Sequence, residues 1–285
     1  MTPALLTPFD WIFVTLLGLC MGSFFNVCIY RWPRNKSIVK PASACPRCET
    51  PIKWFDNVPV LSYLFLGGKC RSCTEKISFR YPLVELVTAG MFAFCYFHDG
   101  WTLLCAKHIF FFSVCLVVSV IDIDFRAIPG WICIAGMLVG IVSQGLEAIF
   151  IEKADVFVLP VKEWPFVKAV YQSIMAMGVG YFMKLMGDFG LWAYLSLVKR
   201  EDIEGETEAL GLGDVDFLGM LGAFAGWKAA TLTFFLAPFA ALGFGIYAMV
   251  KKQTHLIAYL PYLCAASFVT VFWGDKILLL LFGVK

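Results

Sequence analysis

Charge is scarce in this chain. Asp, Glu, Lys and Arg supply 15% of its 285 residues, hydrophobic residues supply 60%, and the mean hydropathy is +0.78. A soluble domain of ordinary composition is about 25% charged and roughly 45–50% apolar. The apolar surplus is too large for one soluble core, and it excludes disorder, a collagen-like fibre and a secreted disulfide scaffold. Charge of one sign is lacking too. Twenty-three basic and 21 acidic residues leave a formal net charge of +2, too little to mark a nucleic-acid partner. There is no solenoid repeat and no low-complexity tract. No Lys or Arg precedes the first apolar run, Trp11–Tyr30, whereas Arg31 and Arg34 follow it. A secretory signal carries its positive charge in front, so this run reads as a retained helix whose C-terminal end lies in the cytoplasm.

What the chain does have is a succession of apolar segments: 11–30, 82–97, 101–121, 130–150, 166–187, 211–227, 229–250 and 256–274. The last two contain no Asp, Glu, Lys or Arg, and each is long enough to span a bilayer. Segment 82–97 is short and carries Glu85, and residues 188–198 extend the fifth helix or lie at the interface. The pattern predicts an all-α polytopic membrane protein with about eight transmembrane helices. Its expected parts are a first helix over 1–30, a small cytoplasmic domain over 31–80, and a helical bundle over 81–285. Alternating the helices from an outside N-terminus puts 31–80, 122–129, 199–210 and 251–255 inside. These loops hold 15 of the 23 basic residues, as the positive-inside rule expects. Loop 151–165 falls outside. Gly18/Gly22, Gly136/Gly140 and Gly222/Gly226 place small residues four apart, a pattern that predicts close helix packing within one bundle.

Four of the 11 cysteines form two close pairs, Cys45-Pro46-Arg47-Cys48 and Cys70-Arg71-Ser72-Cys73, with 21 residues between them. Each pair offers two thiolates from one turn, which predicts a zinc-ribbon-like site closed by four sulfurs, with Zn²⁺ as the expected ion and iron as the alternative. Four protein ligands leave no open position, so the metal is structural. The other seven cysteines lie in apolar stretches and read as small hydrophobes. Arg31, Arg34, Lys36, Lys40, Lys53 and Lys69 put this domain near anionic lipid headgroups, although each alone reads as part of a solvated face.

Ionisable groups at membrane depth are expensive and mark function. Asp122 and Asp124 stand at the inner end of the third apolar helix. Asp214 and Asp216 stand at the inner start of the sixth, in Gly211-Leu212-Gly213-Asp214-Val215-Asp216. Two carboxyl groups a few ångströms apart do not both ionise readily. One can then activate water while the other donates a proton, which is aspartic-protease chemistry. Gly211 and Gly213 predict a bent or unwound backbone around Asp214, open to an extended substrate. The same carboxylates also suit a proton- or cation-coupled transporter, and the residues alone leave both readings open.

Several motifs in order carry a resemblance over nearly the whole chain. They are Gly22-Ser23-Phe24-Phe25-Asn26-Val27-Cys28-Ile29-Tyr30-Arg31, the cysteine domain with Asp56–Tyr63 between its pairs, Ile77–Glu85, Ile121–Pro129 and Glu208–Asp214. Together they resemble the bifunctional type IV prepilin peptidases, also called prepilin leader peptidase/N-methyltransferases, a family of GxGD-type intramembrane aspartyl proteases. The resemblance implies catalysis by Asp122 and Asp214, with Asp122 chosen over Asp124 because it stands seven residues before Pro129. It implies zinc on Cys45, Cys48, Cys70 and Cys73. The substrates it implies are prepilins and type II secretion pseudopilins, whose short basic leader is removed and whose new N-terminus is methylated from S-adenosylmethionine. The implied location is the bacterial inner membrane, with the cysteine domain and both aspartates on the cytoplasmic side. The methyl-donor site is not marked; Gly68, Lys69 and Glu85 are candidates by position. The related preflagellin peptidases, which cleave without methylating, lack the large cysteine domain. The chain departs from the pattern at Gly130, where an acidic residue often follows the proline, and at Asp216, where a basic residue often stands.

Overall fold

Uncharged runs of this length satisfy their backbone only as helices, and helices dominate the computed structural model. It describes residues 8–150, 160–198, 208–250 and 258–283, with side chains to 243 in the third stretch. The helices are α1 (Pro8–Arg31), the short α2 (Leu61–Phe65), α3 (Arg80–Asp99), α4 (Leu103–Phe125), α5 (Gly130–Phe150), α6 (Pro165–Val198), α7 (Leu212–Ala225), α8 (Trp227–Val250) and α9 (Leu260–Phe282). Among the described residues there is no β-strand, only two isolated bridges, Ala44 with Pro51 and Lys69 with Lys76. Among the described residues four spans, Pro8–Arg34, Leu103–Phe125, Gly130–Phe150 and Leu260–Phe282, are long and apolar enough to cross a membrane. Within the described residues all eight expected segments form helices. The expected extension of the fifth segment through 188–198 is present as the single helix α6, whose 34 residues span about 51 Å. Residues 151–159 of the expected outer loop, 199–207 of one expected inner loop and all of 251–255 lie outside the described residues.

The chain divides into two compact units, Met1–Val117 and Val118–Lys285. In the first, α1 packs on α3. A Cβ on Gly18 would lie 2.7 Å from Ala89 Cα, and one on Gly22 would lie 2.6 Å from Glu85 Cα. The first glycine pair thus serves backbone approach between two helices of one chain, the use expected of it in lipid. In the second unit α7 packs against α5, α6 and α8, and α9 packs on α8. Helix α7 is buried nearly all round, from Asp214 and Val215 through Phe217–Phe224, which makes it the centre of this unit. The other glycine pairs serve it. Gly136 and Gly140 of α5 face Met220 and Phe224, and a Cβ on Gly222 would lie 2.5 Å from Ala176 Cβ on α6.

Gly22→Leu is expected to lower the thermal unfolding midpoint in detergent, by the equivalent of about 1–3 kcal/mol of overpacking. Gly90→Leu, on the same helix pair but with nothing near its Cβ, is expected to leave the midpoint unchanged. Equal midpoints for both variants would show that α1 and α3 are not held by this contact.

Candidate active site and metal-binding module

The second unit brings Asp122 and Asp214 together from positions 92 residues apart. Asp122 lies in the last turn of α4 and Asp214 in the first turn of α7; both are buried, and their carboxyl groups interact electrostatically. Asp124 is exposed. The approach depends on Gly213, where a Cβ would come within 2.7–2.9 Å of the Ile128 side chain in the segment that leaves α4. Gly211 is the extended N-cap of α7, at φ −71° and ψ 149°. The expected unwinding is confined to that cap. Asp214 itself stands on regular helix, because its helix start is fastened from outside.

That fastening is Lys184 of α6. Its buried ammonium donates to Glu208 Oε2 at 2.6 Å and to the Leu210 carbonyl at 2.8 Å, and pairs with Asp188 Oδ2 at 3.0 Å. Asp188 Oδ1 accepts the Ala209 amide at 2.7 Å. Residues 208–210 are therefore tied to α6 just before the glycine cap. Sequence reasoning missed Lys184 and Asp188, although a cation deep inside segment 166–187 with an acid four residues on is a legible signal.

The start of α9 completes the pocket. The Leu260 amide donates to the Asp122 carboxyl group, and Arg126 is its electrostatic neighbour. Asp122 thus sits at a helix N-terminus, where unsatisfied amides favour negative charge. The Gly211 amide bonds the Asp214 carboxyl group, while Asp214 Oδ1 is buried and makes no hydrogen bond. Tyr259 is a further neighbour of Asp214, and its hydroxyl donates to the Phe234 carbonyl at 3.2 Å. Cys133, fully buried on α5, neighbours Asp214, Asp216 and Cys264. No motif marks Tyr259, Leu260 or Cys133. The two departures from the resembled pattern meet: a Cβ on Gly130 would lie 3.5 Å from Asp216 Oδ2.

In the first unit, Cys45, Cys48, Cys70 and Cys73 gather with all four sulfurs within 4.8 Å of one another, and Cys45 and Cys73 Sγ are 3.9 Å apart. Tetrahedral sulfur ligands at about 2.3 Å from a zinc ion stand roughly 3.8 Å from each other, so the cluster fits such an ion. Two similar turns build it. The Cys45 amide bonds the Thr50 carbonyl at 3.0 Å, the Cys70 amide bonds the Glu75 carbonyl at 2.8 Å, and Glu49 and Thr74 both take a left-handed conformation just after the second cysteine of each pair. Hydrogen bonding with the side chain and backbone of Thr50 pulls the Cys48 thiol down to about 6, and the amides of Cys73 and Ser72 hold Cys70 below the usual thiol range. Against the Glu75 amide, burial and the neighbouring thiols push Cys73 up to about 12. A cation among the four would relieve that crowding of negative charge. Arg71 reaches across the module to Asp56 in a two-pronged bond of 2.6 and 2.8 Å, which holds Asp56 below the usual carboxylate range. That contribution to stability is present above the ordinary Asp range and is lost as pH falls through the lowered pKa. Of the methyl-donor candidates, Glu85 is buried and accepts the Val60 amide at 2.7 Å, while Gly68 packs against the Tyr63 ring.

An apolar helical chain with a buried pair of carboxyl groups and a separate four-thiol module has the makeup of a membrane-bound aspartic peptidase carrying a metal-binding domain. Comparison with known proteins agrees. Residues 16–98 match the Bacterial Peptidase A24 N-terminal domain, and residues 109–246 match the Type IV leader peptidase family. The prepilin leader peptidase/N-methyltransferase of Pseudomonas aeruginosa is 30% identical over 288 residues, covering 92% of this chain and 90% of the relative. That of Klebsiella pneumoniae is 32% identical over 241 residues, covering 82% and 93%. That of Myxococcus xanthus is 34% identical over 230 residues, covering 80% of this chain but 59% of the relative. No solved structure matches the chain. The chain belongs to the type IV leader peptidase family.

Elemental analysis of the purified protein is expected to find one tightly held metal ion per chain. Cys45→Ser and Cys73→Ser are each expected to remove most of it and to make the 31–80 segment sensitive to added protease. A metal-free wild type that resists protease equally well would show that the four thiols need no ion.

Proposed function

We propose that this chain removes the basic leader of type IV prepilins and type II secretion pseudopilins at the cytoplasmic face of the bacterial inner membrane, and then methylates the new N-terminal amine. The observation that carries the reading is the buried meeting of Asp122 and Asp214, in a chain whose relatives bear the name prepilin leader peptidase/N-methyltransferase. A transporter built on the same carboxylates has no support from those relatives. A peptidase without methylation is disfavoured by the match over 16–98, which includes the cysteine module.

In this reading α1 and α3–α9 all span the membrane, the 31–80 domain and both aspartates face the cytoplasm, and the prepilin helix lies in lipid beside the bundle. Asp122, which accepts the Leu260 amide and neighbours Arg126, enters as the anion and takes a proton from the attacking water. Asp214, with Oδ1 free of hydrogen bonds, holds a proton and donates it to the scissile carbonyl. The C–N bond then breaks as the leaving amine takes the proton from Asp122 and Asp214 recovers its own from a hydroxyl of the tetrahedral intermediate, which restores both carboxyl groups. Gly213 and the Lys184 tie keep the two carboxyl groups in register.

Zinc on Cys45, Cys48, Cys70 and Cys73 would staple a domain too small to hold itself together by its core. S-adenosylmethionine, when bound, supplies a methyl group whose C–S bond breaks with its electron pair to sulfur, as the amine nitrogen forms the N–C bond and releases one proton to water.

Asp122→Asn and Asp214→Asn are each expected to slow leader removal by about 10²–10⁴-fold while leaving membrane insertion intact. Exposed Asp124, changed to Asn, is expected to stay within a few-fold of wild type. Intact-mass analysis of a prepilin incubated with each purified variant gives the answer. Normal processing by either buried-aspartate variant would end the assignment, and a loss at Asp124 equal to theirs would overturn the choice between Asp122 and Asp124.

A further inference from the structure

The cysteine module is tethered at both ends to helices of its own unit, by Arg31 at the end of α1 and by Arg80 at the start of α3. Between its two cysteine pairs runs a stretch without a single charge, the twelve residues 57–68, bounded by Asp56 and Lys69. A largely apolar run of about 10–14 residues is too short to span a bilayer and suits either a buried helix or a re-entrant or interfacial segment. This run contains α2, and α2 is not buried. Leu61 is 51% exposed, Leu64 66% and Phe65 86%. Water offers no reason for such a patch on a small polar domain.

The depth of α2 follows from what holds it. Val60, its N-cap, donates its amide to Glu85 Oε2 at 2.7 Å, and Glu85 also takes a hydrogen bond from Ser23. Glu85 stands five residues after Arg80 in α3, against Gly22 of α1. Asn26 Nδ2 donates to the Tyr81 carbonyl at 3.1 Å, so α1 and α3 run antiparallel with 22 beside 85 and 26 beside 81. A helical side chain leans toward the N-terminus of its helix, so Glu85 reaches back along α3 and sets Val60 no further out than about the level of Asn26. From there α1 continues without charge to Tyr30 and meets its first cation at Arg31. At 1.5 Å per residue, Asn26 is about 7.5 Å inside that cation. The start of α2 therefore lies alongside the apolar part of α1, not beyond it. The Tyr63 ring then packs edge-on against Phe79, the N-cap of α3, with 6.3 Å between centroids, which keeps α2 beside the helix entry.

Two further observations suit lipid as the surroundings. Non-helical chain at this depth must satisfy its own backbone. The amides of Ser62, Leu64, Leu66, Gly67 and Gly68 each bond a carbonyl three to five residues back, and Glu85 takes the amide of Val60. At the same depth the two long helices also turn apolar side chains outward, Phe24 on α1 and Leu83 and Leu86 on α3.

We propose that α2 is seated by Leu61, Leu64 and Phe65 in the acyl chains of the nearer leaflet, so that the four-cysteine module is moored to the bilayer by its own chain as well as by its two tethers. The occupant of this face is lipid. The inference rests on the reading that α1 and α3 span the membrane and adds a third point of attachment.

The test uses the purified full chain in vesicles of phosphatidylcholine and phosphatidylglycerol. The probe is a small aryl diazirine that dissolves in the bilayer core and, on illumination, inserts into whatever chain is nearby. Peptide mapping is expected to find label on Leu61, Leu64 or Phe65 at a level comparable with that on the exposed Leu16 and Leu17 of α1, and none over 43–50 or 70–76. Label on α1 and α3 with none on 61–65 would overturn the seat while leaving the membrane reading in place. Label on 61–65 that vanishes when a prepilin is added would assign the face to the substrate's helix and would overturn the seat as well. An absence of label from both α1 and α3 would overturn the membrane reading itself, and the seat with it.

Discussion

The tie between Lys184 and residues 208–210 is the interaction on which the candidate active site most depends. An ammonium buried in a helix this apolar is tolerable only if its charge is matched and its protons are used. Glu208, Asp188 and the Leu210 carbonyl do both. The same bonds fix the chain just ahead of Gly211, so α7 begins at a set height and Asp214 falls in its first turn. Helix α7 is enclosed on nearly every side, and its start has little freedom to shift without moving its whole packing. The position of one carboxyl group is thus inherited from a cation on the preceding helix.

The partner carboxyl group is placed by a different device. Asp122 ends a helix whose exit segment must pass against the start of α7, and only the absence of a side chain at position 213 leaves room for Ile128. The glycine therefore matters less for backbone freedom, which the sequence suggested, than for close approach. The two acids also differ in surroundings. One receives a backbone amide from the head of α9 and has an arginine nearby; the other keeps an oxygen without a partner. Unlike environments around like groups are what assign acid and base roles to a carboxyl pair.

Much of this was legible beforehand for physical reasons. Apolar runs of this kind favour helices in lipid, and the described parts of all eight expected segments are helical. The spacing of the cysteine pairs anticipated a four-sulfur cluster because two tight turns of thiols have few other uses. Small residues four apart anticipated close helix packing, which on α1 is against the backbone of α3 and on α5 against the side chains of α7. What stayed hidden was contact between segments distant in the sequence. Leu260 contributes only its amide, which every residue but proline possesses, so no pattern of side chains could single it out.

The meeting of Gly130 with Asp216 gives a physical reason for two departures that looked unrelated in the sequence. An acid at position 130 beside a base at 216 would make a pair across the start of α5 and α7. Reversing the charge at 216 alone would set two acids against each other close to Asp214, at a partly buried site where like charges repel strongly. Here the position facing Asp216 has no side chain at all, and even a Cβ there would already stand in ordinary contact with the Asp216 carboxyl group. The two changes are coherent only together. Asp216 thereby stands beside the buried pair without an acidic neighbour at 130, and any basic side chain presented to this end of α7 meets a carboxylate there instead of a competing cation.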